Sequence, residues 1–178
     1  LYGRGDLSAL YSRMKPLSTD EPLTLEKDGR SIEVTLHHAG HVAGAVSVTI
    51  RSETERVFFT GDILFNDQHT LNGARPPLAE VDVLVTETTR GHTSRDPNCQ
   101  REAEIVNLLE ATRKTLSNGG SVLLPIFALG RMQEMLVVID EAMKRGALPK
   151  TPVFCSGLGM DLVNHFHQIS KNTTRIRF

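Results

Sequence analysis

Three of the seven histidines, His37, His38 and His41, fall within Leu36-His37-His38-Ala39-Gly40-His41-Val42-Ala43-Gly44-Ala45, and a carboxylate, Asp62, closes Phe58-Phe59-Thr60-Gly61-Asp62. Imidazole and carboxylate are ordinary ligands for Zn²⁺, at roughly 2.0 to 2.2 Å. Gly40 and Gly44 flank His41, and Gly61 precedes Asp62, so the backbone can bend sharply at two strand ends and bring both groups to one sheet edge. Residue types alone leave a second reading open, a polar hairpin carrying surface histidines. Another carboxylate, Glu87, follows the apolar run Val81–Thr86 and sits next to Thr88, Thr89 and Arg90. It reads either as an active-edge carboxylate or as a surface partner of Arg90.

These groups need strands to deliver them. Leu23–Glu26 reads as a strand, Lys27-Asp28-Gly29-Arg30 as a hairpin turn, and Ile32–Leu36 as the return strand, with Ile32, Val34 and Leu36 on one face that the alternation places in a core. That strand is aimed at His37, His38 and His41. Adjacent strand residues point to opposite faces, so at most one of His37 and His38 can join His41. Val46, Val48 and Ile50 alternate with Ser47, Thr49 and Arg51 on the next strand, and Val57–Thr60 delivers Asp62. Val81–Thr86 reads as a strand buried on both faces. Asn66–Pro77 is a polar loop beside the site, with His69 read as a surface residue rather than a ligand. Ahead of all this, Asp6 caps a helix over Leu7–Met14, which Pro16 ends.

From about Thr93 the pattern changes to alternating helix and strand. Ile105, Leu108, Leu109, Thr112 and Leu116 form one helical stripe, stopped by Asn118-Gly119-Gly120. Ser121–Phe127 reads as a buried strand, Gly130–Lys144 as a helix with Met132, Met135, Leu136, Ile139 and Met143 on its packing face, Val153–Cys155 as a strand and Met160–Ile169 as a helix. That alternation suggests part of a doubly wound layer. The composition shift at residues 92–98 sets a boundary between residues 1–92 and 93–178. Where the strand ending at Phe127 feeds the helix beginning near Gly130, free N–H groups could hold a substrate phosphate, with Arg131 adding a bidentate contact. Equally open is a packing role for Gly130 and an ion pair for Arg131.

At 178 residues the chain can bury one core or two modest ones. A formal charge of −1 gives no global basic field to attract nucleic acid, although a cleft can be locally charged. Cys99 and Cys155 form no CxxC pair, and a reduced, cytoplasmic protein with inert thiols is expected. No run of about 18 apolar residues is present, so no membrane span is expected. The first residues, Leu-Tyr-Gly-Arg-Gly-Asp, lack an initiator Met and resemble no signal peptide, which suggests a fragment.

Ala-Gly-His-Val-Ala-Gly-Ala followed by Phe-Thr-Gly-Asp resembles the third and fourth metal motifs of the metallo-β-lactamase fold. Thr86-Glu87-Thr88-Thr89-Arg90-Gly91 and Leu124-Pro125-Ile126-Phe127-Ala128-Leu129-Gly130-Arg131-Met132-Gln133-Glu134 narrow the resemblance to the β-CASP branch, and all four segments stand in that family's order. The resemblance implies an α/β fold: part of an αββα sandwich of mostly antiparallel hairpins over residues 1–92, then the first part of an inserted doubly wound β-CASP domain over 93–178. It implies a hydrolase with two Zn²⁺ that cleaves RNA, single-stranded by preference, through a metal-bound hydroxide. His41 would ligate one zinc and Asp62 would bridge both, while Glu87 would orient a histidine that protonates the leaving group. His38 is placed behind the ligands.

The family's H-x-H-x-D-H motif and its later histidines are absent, and His165 and His167 lie on an expected helix in the wrong context. An incomplete ligand set predicts that these residues alone neither hold a pair of zinc ions nor cleave RNA, and uncovered apolar seams predict self-association into homo-oligomers. Two other readings stay open. One is a small-molecule hydrolase such as a thioesterase, which Leu124–Glu134 opposes. The other is a non-catalytic scaffold subunit of an RNA-processing complex, which His41, Asp62 and Glu87 oppose.

Overall fold

A computed structural model describes residues 3–173 except 78, 95, 97, 98 and 156. The first half is a five-stranded sheet in the order β1-β2-β3-β4-β5. β1 (Pro22–Lys27) and β2 (Arg30–His38) form a hairpin in which Lys27 faces Arg30 across a two-residue turn. Asp28 and Gly29 both take positive φ, 52° and 72°, the backbone handedness that matches the twist of the flanking strands. β3 (Val46–Arg51) and β4 (Arg56–Phe59) extend the sheet antiparallel, and β5 (Val83–Val85) pairs parallel with β4. That parallel pairing requires residues 60–82 to cross over, and no helix occurs among the described residues of this connection.

Register aligns Val34, Ile50, Val57 and Val83 in one row and Leu36, Val48, Phe59 and Val85 in another, all on one face. The β2 alternation was expected to set this face in a core. Instead it ranges from half-buried to exposed, with Val85 at 45% exposure, whereas Ser47, Thr49 and Phe58 on the other face are buried. Expected to be buried on both faces, Val81–Thr86 contributes the three exposed residues of β5, which among the described residues pairs with β4 alone and has no layer packed on it. The apolar run reported the residues' preference, not the presence of a layer to cover them.

α1 (Arg4–Tyr11) starts before the expected Leu7, because Asp6 occupies the third helical position and accepts the Gly3 N–H at 2.9 Å. α2 (Arg101–Ser117) stops at Asn118 and Gly119 as read, with Gly119 at φ 73°. α3 (Arg131–Lys144) and α4 (Leu158–Ser170) follow. Leu109 of α2 packs with Val138 and Ala142 of α3 and with Leu148, and Ile105, Met135, Ile139 and Met143 surround that cluster.

Helices and extended segments alternate here as expected, and the chain is α/β. The segments Ser121–Phe127 and Val153–Cys155, however, form no ladder among the described residues. They run beside an apolar cavity of about 650 Å³ lined also by α2 and α3. Pro125 lies within the first and Pro152 directly precedes the second, each removing a backbone donor. Between the halves, Leu71 of the connecting loop and Phe166 of α4 form a second small buried cluster against Ala43. The boundary expected at residues 92–98 includes residues 95, 97 and 98, which lie outside the described residues.

Candidate active site

His41 sits, half-buried, in the turn that follows β2. The Ala39 N–H donates to the Ala45 carbonyl at 3.1 Å and the Ala45 N–H to the Val42 carbonyl at 3.0 Å, which closes the turn on itself. Residues 63–75 lie against it: Leu64 N–H donates to Ala39 O at 2.9 Å and Arg75 N–H to His38 O at 3.2 Å. Gly40 is required twice over. Its φ is +70°, and a Cβ there would overlap Ala74 N and Leu64 O.

The carboxylates come from neighbouring strand ends. Because β4 and β5 are parallel, both chains leave the sheet in the same direction, and Thr60 N–H donates to Val85 O at 2.9 Å. Asp62 follows Gly61, whose φ is +56°, and its side chain is exposed. Glu87 is held by the Thr89 hydroxyl on Oε2 at 2.7 Å and by the Ile63 N–H on Oε1 at 2.9 Å. The Thr89 bond, then the Ile63 N–H, and more weakly the charge of His41 hold its carboxyl below the ordinary glutamate value, against a smaller opposing effect of burial. Its bonds go to Thr89 and Ile63, not to Arg90. Neither the His41 ring nor the Asp62 carboxylate makes a hydrogen bond or ion pair among the described residues.

The two histidines that precede this turn diverge. His37 points to Thr49 Oγ1 at 2.8 Å and lies 3.6 Å from Asp20, with its ring edge-on to Phe58. On the opposite face, His38 Nε2 donates to the Asn72 carbonyl at 3.1 Å. His38 therefore braces the loop behind the turn. His165 and His167 are exposed on α4.

His69, expected at the surface, belongs to an ion-pair cluster. Its Nδ1 lies 3.1 Å from Glu134 Oε1 and its Nε2 lies 3.9 Å from Glu141. Glu134 is 1% exposed and also accepts the His69 and Thr70 N–H groups, the Thr70 hydroxyl and the Arg101 guanidinium. Burial raises its carboxyl, but the donors from His69 and Thr70 outweigh that and leave it below the ordinary value.

Of Gly130 and Arg131, expected to hold a phosphate, Arg131 is bonded to this same loop and Gly130 lies against the His41 turn. Arg131 Nη1 donates to Gln68 Oε1 at 2.7 Å, and a Cβ on Gly130, whose φ is +80°, would come within 2.7 Å of Val42 Cγ1. The N–H groups at the start of α3 are internally satisfied: Gly130 by Gln133 Oε1, Arg131 by Leu129 O and Met132 by Phe127 O. Gln68 and Glu134 are the residues that sequence reasoning left out. Glu134 stood inside the segment that carried the resemblance, whereas nothing in the sequence around Gln68 marks it.

Imidazole and carboxylate, each without a bonded partner at adjacent chain turns, have the donor chemistry of a zinc site. A zinc site needs about three protein ligands, and no three His, Cys, Asp or Glu side chains are grouped to hold a metal among the described residues. His41 and Asp62 thus fit as part of a ligand set.

No protein-family model matches the chain. Endoribonuclease ysh1 of Schizosaccharomyces pombe is 39% identical to it over 141 residues, 79% of this chain and 18% of that protein. Endoribonuclease YSH1 of Saccharomyces cerevisiae is 40% identical over 141 residues, 79% and 17% respectively. An RNase J-like protein of Methanocaldococcus jannaschii is 33% identical over 127 residues, 71% of this chain and 30% of that protein. The chain spans less than a third of the length of each. Two of these relatives carry names that define a class, hydrolases acting on RNA. With that likeness covering 71 to 79% of its residues, the chain belongs to the β-CASP branch of the metallo-β-lactamase fold, whose nucleases are metal-dependent.

Proposed function

We propose that the chain is the part of a zinc-dependent ribonuclease that supplies His41 and Asp62 to the metal site and Glu87 behind them. The observation that carries this is the pair of unpartnered donors, His41 and Asp62, brought to the turns beside a low-pKa glutamate in a chain akin to endoribonucleases. When bound, a metal pair would generate a hydroxide nucleophile near neutral pH and neutralise a phosphodiester. His41 and Asp62 would hold it, the remaining ligands coming from outside the described residues. Glu87 stays ionised at neutral pH and can fix the tautomer of an imidazole that protonates the leaving oxygen. RNA, single-stranded by preference, is the proposed substrate, supported by the names of the relatives. His38, bonded to Asn72 O, acts at one remove by fixing residues 72–75.

Residues 1–92 are proposed as sandwich and 93–178 as β-CASP insertion, a division supported by the change from sheet to helices after β5. Free Cys99 and Cys155 suit the cytoplasm as the proposed location, and the exposed aliphatic sheet face suits self-association. The experiment is cleavage of single-stranded RNA by the full-length protein, with chelation and Zn²⁺ restoration, beside single-stranded DNA and a thioester. Chelator-sensitive, zinc-restored cleavage of RNA alone is expected. Thioester turnover without RNA cleavage would transfer the site to small-molecule hydrolysis, and no turnover with native zinc content would favour a scaffold.

A further inference from the structure

Gln68 is 4% exposed, and both ends of its side-chain amide are hydrogen-bonded. Nε2 donates to the carbonyls of Gly40 at 2.8 Å and His41 at 3.2 Å, while Oε1 accepts from Arg131 Nη1 at 2.7 Å. The orientation of the amide is forced, because a guanidinium only donates and a main-chain carbonyl only accepts. A flipped amide would set oxygen against two carbonyls and NH₂ against a cation.

Gln68 thus spans from the carbonyls on either side of the His41 Cα region to the first residue of α3. One helical turn further on, Glu134 receives the N–H groups of the next two loop residues, His69 and Thr70. Residues 131 and 134 lie on one helix face, so α3 grips consecutive loop residues at two points. Beside them, Gly130 lies against Val42, the residue after His41.

We propose that Gln68 is the positioning residue for His41, relaying the place of α3, and with it of the second half of the chain, to the metal-ligand turn. The metal consequence rests on His41 being a ligand; the mechanical link does not. A displacement of α3 pulls the Gly40 and His41 carbonyls through one amide, so closing or opening of the second half over substrate would adjust the ligand itself.

Gln68→Glu separates the two ends of the strut, because its carboxylate still accepts from Arg131 but presents oxygen to both carbonyls. Arg131→Met removes the other end from a half-buried position and guards against a misfolded Gln68 variant. Arg131→Lys retains a donor. The metal-free readout is hydrogen exchange of the Ala39 and Ala45 amides, which close the turn, relative to amides of β1 and α2. Each of Gln68→Glu and Arg131→Met is expected to speed the turn amides about tenfold while leaving the distant amides unchanged, with Lys restoring protection. In the full-length protein, Zn²⁺ affinity measured by chelator competition is expected to fall about tenfold or more, and kcat to fall with KM unchanged. Turn exchange that is unchanged, or that rises equally everywhere, overturns the strut. Faster turn exchange with unaltered zinc affinity overturns its role in positioning a ligand. If His41→Ala itself leaves zinc affinity intact, the ligand assignment fails while the exchange result still decides the mechanical link.

Discussion

Glu87 accepts the main-chain N–H of Ile63 over 2.9 Å, so the carboxylate that follows one strand is tied to the residue after Asp62, the carboxylate that follows the neighbouring strand. The main chain beside Asp62 is thereby joined to Glu87 at the sheet edge, and of the two carboxylates Glu87 alone accepts from protein donors among the described residues. An ionised group already supplied with hydrogen bonds is suited to orient an imidazole, and one left open is suited to bind a cation.

Replacing Glu87 by Gln removes the charge and leaves one acceptor for two donors, Thr89 and Ile63. In the full-length protein kcat should fall by roughly 10- to 100-fold. KM and zinc content should stay near the native values, because Asp62 remains. Steady-state RNA cleavage with metal analysis checks this; loss of zinc in Glu87→Gln would instead make Glu87 a ligand.

Glu134 gives the chain an acid-sensitive joint. Its carboxyl is lower in the folded protein than the ordinary value of 4.5, so the stability it contributes is complete above that value and is lost as pH falls through the lower, folded one. Thermal unfolding between pH 3 and 7, both values being about the range needed to bracket a carboxylate, should show the native chain losing Tm toward acid more steeply than Glu134→Gln. Parallel pH profiles would remove Glu134 from the account.

Glu134→Ala should be more damaging than its single negative charge suggests. It strands the Arg101 guanidinium and the N–H groups of His69 and Thr70, and a broken buried pair costs about 3 kcal/mol. Urea unfolding provides the measurement, and a change within about 0.5 kcal/mol, typical of a surface site, would contradict the cluster's role.

Gly130→Ala should destabilise by about 2 kcal/mol, through overpacking against Val42 and a positive φ. Adding Val42→Ala should recover only part of this, since it makes room but does not relieve the backbone. Full recovery would show that packing alone requires the glycine; no recovery would place the cost in φ.

Local signals were readable wherever the chain itself settles the geometry. Asp28-Gly29 named its hairpin turn, Asn118-Gly119 stopped α2, and Gly40, Gly44 and Gly61 marked the bends that carry His41 and Asp62. Burial was not readable. Val83–Val85 and the aliphatic rows of β2 and β3 look like core residues, but burial depends on a covering layer that a residue pattern cannot supply. For the same reason Ser121–Phe127 read as a strand, although a ladder needs a partner and Pro125 removes a donor. Gln68 and Glu134 escaped because a polar residue acquires its role from groups 27 to 65 positions away, and no periodicity encodes such separations.

Whether His41 and Asp62 belong to the metal set of a ribonuclease is decided by zinc content and single-stranded RNA cleavage measured together on full-length protein, native and with His41→Ala or Asp62→Ala. The native protein should hold about two zinc ions and cleave RNA in a chelator-sensitive way. Each variant should lose metal and lose cleavage by a factor of about 100 or more. Native zinc content with full cleavage in either variant would remove that residue from the metal set.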